Sequence, residues 1–269
     1  MEVSPASPSI VRSPKFSRAL LARKILVSTD FGGTLCWHED DRRAERCLPE
    51  ALVALERLAA LPGVHLAIVS GHSGSDLSAL CSDFPPCWKI SDHGRECRDP
   101  QGRILRDWPS HAGTGPLERV WLHAETFFLG TSARLERKSY SVVVRLPSAP
   151  DRSLREPMVR WTSLAHSFGL ELVQGRGFVE ALVPGFDKRR ALLRLSANLR
   201  CDFRIFAGDD AHDLASLAEL SGRLDGLGVF VSSIERPIPG IPVDDAVDGP
   251  DGWARWLTEL ADFLESRAS

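Results

Sequence analysis

The sequence predicts an α/β fold: a parallel sheet with helices on both faces, interrupted midway by an α+β insertion. Three observations carry this. Short apolar strands alternate with amphipathic helices at both ends of the chain. The strands of these regions end in polar or acidic residues, at Asp30, Ser70 and Asp209–Asp210. Between them the pattern changes to helix, two strands, helix, two strands. A length of 269 residues corresponds to about 1.8 average domains, which suits a core with a smaller companion.

The elements follow in order. Lys24–Asp30 is a short apolar run that ends at a carboxylate and breaks at Gly32-Gly33, as a buried strand and tight turn do. Leu48–Leu61 carries Pro49 near its start and Leu48, Leu52, Leu55, Leu58 and Ala59 on one helical face, and Pro62-Gly63 stops it. Val64–Val69 is a second strand ending at Ser70-Gly71, and a helix restarts over Ser75–Leu80. The insertion is predicted as a helix over Leu117–Leu129, strands within Arg134–Leu146, a helix over Leu154–Phe168, and strands at Leu170–Val173 and Phe178–Val183. Gln174-Gly175-Arg176-Gly177 supplies the turn between the last two. The first regime then returns: a helix over Lys188–Asn198, strands at Phe203–Ala207 and Val229–Ser232, and an amphipathic helix over Trp253–Leu264.

Composition narrows the function classes. The chain is 43% hydrophobic and 26% charged, values of an ordinary globular protein. Thirty-three basic against 36 acidic residues give a net charge of −3, which argues against a general nucleic-acid binder. No stretch approaches the ~18 consecutive apolar residues of a membrane span. Residues 1–22 are expected to be a flexible leader, Ser- and Pro-rich through Lys15 and without the apolar centre of a secretory signal. The six cysteines form no CxxC pair or zinc spacing, so reduced thiols in a cytoplasmic protein are expected. Oligomeric state is not legible.

In open α/β sheets ligands bind beyond the carboxyl ends of the strands, so Asp30, Ser70 and Asp209 are expected to face one crevice. Two carboxylates there suit a hard divalent cation that also takes phosphate oxygens. Asp30 as a turn cap, with Asp209-Asp210 as a helix cap, is the structural alternative for each site alone.

These residues carry a family resemblance. Asp30-Phe31-Gly32-Gly33-Thr34-Leu35 resembles the first motif of the haloacid dehalogenase (HAD) superfamily, Ser70-Gly71 the second, Lys188 the third, and Gly208-Asp209-Asp210-Ala211-His212-Asp213 the fourth. Ser91-Asp92-His93-Gly94-Arg95-Glu96, Glu136-Arg137-Lys138, Glu180 before Pro184, and Asp187-Lys188 resemble trehalose-6-phosphate phosphatases in particular. The resemblance spans residues 24 to 264. It implies a Rossmann-like core over 23–108 and 184–269 and an α+β cap over 109–183. It also implies a Mg2+-dependent phosphomonoesterase acting on a sugar phosphate, trehalose 6-phosphate above all.

The resemblance assigns roles residue by residue. Asp30 would be the nucleophile that forms a phosphoaspartyl intermediate. Asp30, the Gly32 carbonyl and Asp209 would hold Mg2+, with Asp210 and Asp213 completing its outer shell or orienting Lys188. Thr34, Ser70 and Lys188 would hold phosphate oxygens, with Gly71 and His72 at the crevice mouth. From the cap, Glu136, Lys138, Arg145 and Glu180 would contact the sugar, and cap closure would exclude water.

The chain departs from the pattern at Gly32, where the superfamily's phosphatases carry a second Asp as general acid and base. That group is typically worth ~10²–10⁴-fold in rate. A slow phosphatase with a surrogate such as His72, a degenerate protein that binds a phosphosugar or partner without turnover, and an engineered change at Gly32 all stay open at the level of sequence. His72 also replaces an Arg, Val142-Val143-Val144-Arg145 a His-Tyr-Arg pattern, and His212 and Leu214 a Thr and a Glu. Trp37 or Trp108 would line a sugar pocket, and Cys36 is expected as a buried inert thiol.

Overall fold

The computed structural model describes residues 14–37, 47–106, 108, 115–149, 151–175, 177–185, 187–234 and 236–268. Before the insertion come α1 (Phe16–Leu21), β1 (Ile25–Asp30), α2 (Pro49–Ala60), β2 (Val64–Val69), α3 (Gly74–Leu80), β3 (Trp88–Ser91) and β4 (Glu96–Arg98). The insertion holds α4 (Gly115–Phe127), β5 (Arg134–Arg137), β6 (Ser141–Arg145), α5 (Arg155–Ser167), β7 (Glu171–Gly175) and β8 (Phe178–Leu182). After it come α6 (Lys188–Leu199), β9 (Phe203–Gly208), α7 (Leu214–Ser221), β10 (Gly226–Ser232), β11 (Asp245–Asp248) and α8 (Gly249–Ala268). Contacts divide the chain into two compact units, Met1–Arg106 with Asp187–Ser269, and Asp107–Phe186.

The first unit is built on a seven-stranded sheet in the order β11-β10-β9-β1-β2-β3-β4, parallel except for β4 against β3. This is the α/β architecture the sequence predicts. All six residues of β1 are buried, as a central parallel strand requires. Ile25 and Val27 face a cluster shared with Leu55 and Leu58 of α2 and Trp253, Leu257 and Leu260 of α8. Strand alternation turns Leu26 and Ser28 to the opposite face. The chain runs outward from β1 through β4, then returns to β9 on the other flank of β1. The order of strands therefore reverses at β1, and the carboxyl ends of β1 and β9 meet at the switch point.

Several elements escape the sequence pattern. The flexible leader expected over 1–22 is corrected at Phe16–Leu21: α1 forms because Phe16 packs edge-on against Phe263 at 5.0 Å and Ala19 is fully buried. Arg267 donates to the Leu20 carbonyl at 2.7 Å and holds the helix end. The earlier part of that leader lies outside the described residues. β3, β4, β11 and α7 are further elements that the sequence pattern does not predict. β4 reads Glu-Cys-Arg and β11 Asp-Ala-Val-Asp, edge strands too short and too charged to show alternation.

The second unit is a four-stranded antiparallel sheet, β5-β6-β8-β7, covered on one face by α4 and α5. Val142, Val144 and Ala181 pack against Val120, Ala124, Trp161 and Ala165. Register then sets the other face. Val143 stands opposite Glu136 on one side and Glu180 on the other, so Ser141, Arg145, Glu136 and Glu180 share the face turned from the helices. Among the described residues no helix is long and apolar enough to cross a membrane.

Candidate active site

Four segments of the first unit converge at the switch point. β1 ends in Asp30, and the chain turns through Phe31–Cys36, where the Gly33 N–H donates to the Cys36 carbonyl at 2.8 Å. Gly33 holds φ +84°, and a Cβ there would run into the Asp209 carboxylate. Only glycine satisfies both conditions. Lys188 is set by the cap of α6: the Asp187 carboxylate accepts from the Arg190 N–H at 2.7 Å, making Lys188 the first helical residue. Asp209 follows β9, and Asp213 closes the turn that leads into α7.

The side chains form one buried network. Lys188 Nζ donates to Asp30 Oδ1 at 2.6 Å and to Asp213 Oδ1 at 2.9 Å. Asp213 Oδ2 accepts from the backbone N–H groups of Asp209 and Asp210, each at 3.2 Å. Thr34 Oγ1 donates to Asp209 Oδ1 at 3.0 Å, and Arg236 pairs with Asp209 Oδ2. Asp30, Asp209 and Asp213 are all buried, and they present oxygens within 4.8 Å of one another. Three carboxylate oxygens so close form a donor set for a hard divalent cation, which takes oxygen ligands and leaves room for water and phosphate. The set fits Mg2+.

Burial and mutual charge govern protonation here. Burial pushes the Asp30 carboxyl up, against the pull of Lys188. Burial also pushes Asp213 well up, and the charges of Asp30 and Asp210 add to it. For Lys188 burial works downward, but Asp213 and Asp30 outweigh it and hold the ammonium above its ordinary value. Asp210, resisting burial through the charges of Lys188 and His212, is held low. Its carboxylate is turned back to accept from the His212 N–H at 2.8 Å, outside the three-carboxylate cluster.

Beside this network stands the segment after β2. Ser70 Oγ and His72 Nδ1 lie 2.7 Å apart, and the His72 ring meets Phe31 edge-on. The turn Asp92–Gly94 braces it: Asp92 N–H donates to the His72 carbonyl at 2.8 Å and His93 N–H to the Ser70 carbonyl at 3.0 Å. Asp92 and His93 hold φ of 49° and 54°, a left-handed pair of non-glycine residues. Such strain persists where surrounding contacts over-determine it. His93 also lies over Gly71 and stacks edgewise with His212 at 5.4 Å. Gly94 lets the chain approach the Asp187 carbonyl, which a Cβ there would meet at 2.6 Å.

The insertion residues singled out from sequence form two pairs on one sheet face. Glu136 and Arg145 make an open ion pair at 2.7 Å. Lys138 Nζ reaches Glu180 Oε1 at 3.1 Å, buried, and Ser141 Oγ donates to the same oxygen at 2.5 Å. Trp37 donates to Asp251 at 2.9 Å, and Trp108 is buried in the second unit. Gly32 offers backbone alone, bridged to Cys36. Sequence reasoning missed Arg236, Ser141 and the bracing role of Asp92 and His93. Arg236 sits in a Pro-rich stretch with no pattern to mark it, whereas Ser141 begins a recognisable strand two residues before Val143, the partner of Glu180.

Comparison with known proteins gives this arrangement a setting. The trehalose-phosphatase family model matches residues 28–223. The trehalose-phosphate phosphatase of Mycobacterium avium is 27% identical over 256 residues, covering 91% of this chain and 64% of that protein. This chain thus spans less than two thirds of the length of that relative. The solved C-terminal domain of Candida albicans trehalose-6-phosphate phosphatase superposes with a TM-score of 0.78 at 16% identity, over 95% of this chain and 99% of that one. A haloacid dehalogenase-like hydrolase from Bacteroides thetaiotaomicron superposes with a TM-score of 0.67 at 14% identity, over 88% and 99%. At these identities the superpositions speak for the fold alone.

Proposed function

The chain belongs to the trehalose-phosphatase family, and on that footing we propose that it hydrolyses a sugar phosphate, trehalose 6-phosphate first among candidates, with Asp30 as nucleophile. The observation that carries this reading is the Asp30 carboxylate at the switch point, held by Lys188 at 2.6 Å beside Asp209 and Asp213. Asp30 attacks phosphorus in line, the P–O bond to the sugar breaks, and a phosphoaspartate forms. Water then attacks that phosphorus and releases Asp30.

Lys188 serves twice. Its ammonium orients Asp30 before attack and stays as a point charge beside the transferred phosphoryl group. Asp213 holds Lys188 in place, and Thr34 orients Asp209. Asp30, the Gly32 carbonyl and Asp209 would hold Mg2+, whose chemistry when bound is to neutralise charge on the phosphoryl oxygens. Ser70 would take a phosphate oxygen, its hydroxyl steered by His72. Glu136, Lys138, Arg145 and Glu180 are proposed as the sugar contacts, which their shared sheet face supports.

Gly32 supplies no proton donor for the leaving alkoxide and no base for the second step. The reading therefore expects slow turnover. Purified protein with Mg2+ should release phosphate from trehalose 6-phosphate, and faster from an aryl phosphate, which leaves without protonation. Asp30→Asn should abolish both, while Gly32→Asp should raise sugar-phosphate turnover by ~10²-fold or more. Turnover that survives Asp30→Asn would overturn the assignment of the nucleophile. Tight binding with no release, even in Gly32→Asp, would overturn the hydrolase reading.

A further inference from the structure

Cys36 closes the turn that follows β1, and Cys47 immediately precedes Leu48, the residue that caps α2. Their backbones meet in an isolated antiparallel bridge, and their sulfurs lie 3.0 Å apart. We propose that Cys36 and Cys47 are a disulfide-forming site, closed by a hydroperoxide and reopened by a dithiol. The proposal is independent of the catalytic reading above.

The geometry is already close to that of the bond. Residues directly opposed on antiparallel backbone place their Cβ atoms ~4.5–5.5 Å apart, and a disulfide spans ~3.5–4.5 Å between the same atoms. A disulfide needs its sulfurs at ~2.05 Å, so about 1 Å of approach remains. Rotations about the two Cα–Cβ bonds, with a slight approach of the two bridged backbones, supply that. The two thiols also differ in access. Cys36 is fully buried and Cys47 is half-buried, so an oxidant from solvent meets Cys47 first.

The chemistry balances in two steps. The Cys47 sulfur attacks the O–O bond of the hydroperoxide; an S–O bond forms, the alcohol or water departs, and a sulfenic acid remains. The Cys36 sulfur then attacks the sulfenic sulfur; the S–S bond forms, the S–O bond breaks, and hydroxide leaves with the Cys36 proton as water. Two thiols lose two electrons and the hydroperoxide gains them. A dithiol reverses the bond by exchange. Cys81, Cys87, Cys97 and Cys201 are all buried, and burial pushes Cys97 up to about 12 and Cys201 to about 11. They serve as internal controls.

The bond would tie the turn carrying Gly32 and Gly33 to the start of α2. Cys36 is part of that turn through its carbonyl, which accepts from Gly33 at 2.8 Å, and its N–H, which reaches the Phe31 carbonyl at 3.2 Å. Closing a short loop constrains the unfolded chain and should raise Tm by roughly 5–10 °C.

The test treats the full chain with hydrogen peroxide and maps its peptides without reduction. The expected product is a Cys36–Cys47 cross-linked peptide, two hydrogen masses lighter than its parts, with two of the six thiols lost to a thiol-reactive dye in denaturant. Dithiothreitol should restore both thiols and remove the Tm gain. Cys47→Ser should abolish the cross-link, and Cys201→Ser should leave it. Cross-linking of another pair would overturn the proposal, as would Cys47 passing to sulfinic acid while Cys36 stays a thiol. Because the wild-type chain gives the first readout, a variant that fails to fold does not blunt the test.

Discussion

At the scale of single residues, the pocket is defined by how each carboxylate oxygen is engaged. Asp30 and Asp213 share one ammonium, while Asp209 divides its oxygens between Thr34 and the Arg236 guanidinium. Arg236 therefore stands where a divalent cation would draw on Asp209. Its side chain is 28% exposed, so the pair lies near the upper end of a surface ion pair, ~1 kcal/mol, rather than in the range of a buried one. Arg236→Gln removes that competitor and leaves the three carboxylates in place. Mn2+, titrated calorimetrically as a probe for the site, should bind this variant about fivefold more tightly than the wild type. Unchanged or weaker binding would mean that Arg236 does not compete for Asp209. Asp209→Asn, which removes the ligand itself, should weaken binding in both backgrounds.

At the scale of elements, two buried tryptophans show how the same residue type is used differently. Trp253 of α8 stacks on Trp256 at 4.9 Å and donates its indole N–H to Thr29 of β1 at 3.0 Å. Trp161 of α5 is fully buried in the second unit, and its indole nitrogen has no hydrogen-bond partner among the described residues. Replacement by Phe shrinks both side chains, yet only at Trp253 does it remove a hydrogen bond. The lost bond leaves the Thr29 hydroxyl to the Asp30 carbonyl, where it already donates at 2.8 Å. Trp161→Phe instead removes an N–H that burial penalises. Trp253→Phe should therefore cost ~1 kcal/mol more than Trp161→Phe in urea unfolding. Equal costs would show that packing alone sets both positions. The helices that carry these residues were legible in the sequence because their apolar spacing spans several turns. The edge strands β4 and β11 were not, since three or four residues with charges at their ends offer no period to detect.

At the scale of the whole molecule, the chain order hides what the fold joins. Asp30 and Lys188 are 158 positions apart in sequence and 2.6 Å apart in space. Strand endings made Asp30, Ser70 and Asp209 legible as neighbours, because a parallel sheet sends all its carboxyl ends to one edge. Arg236 was not legible: it reaches Asp209 from a loop whose path no periodicity describes. The resulting pocket gathers buried like charges, and burial raises both Asp30 and Asp213 above their ordinary values. Folding without a cation must therefore keep carboxylates protonated or lean on Lys188, Arg236 and the Thr34 and backbone donors around them. A ligand that binds only the folded state stabilises it by RT ln(1 + [L]/Kd), ~2.7 kcal/mol at a hundredfold excess over Kd. For a unit of this size that is on the order of 5–10 °C in Tm. Adding Mg2+ to chelator-treated protein should raise the first unfolding transition by that amount, and Asp209→Asn should remove the gain. The sign also fixes the pH response. Metal ligation needs Asp30 ionised, so the gain should shrink as pH falls through its raised value, while the metal-free protein, whose Asp30 and Asp213 bind protons more readily folded than unfolded, loses no stability through these two groups. A Tm shift that persists in Asp209→Asn, or that grows in acid, would place the bound cation somewhere other than this cluster.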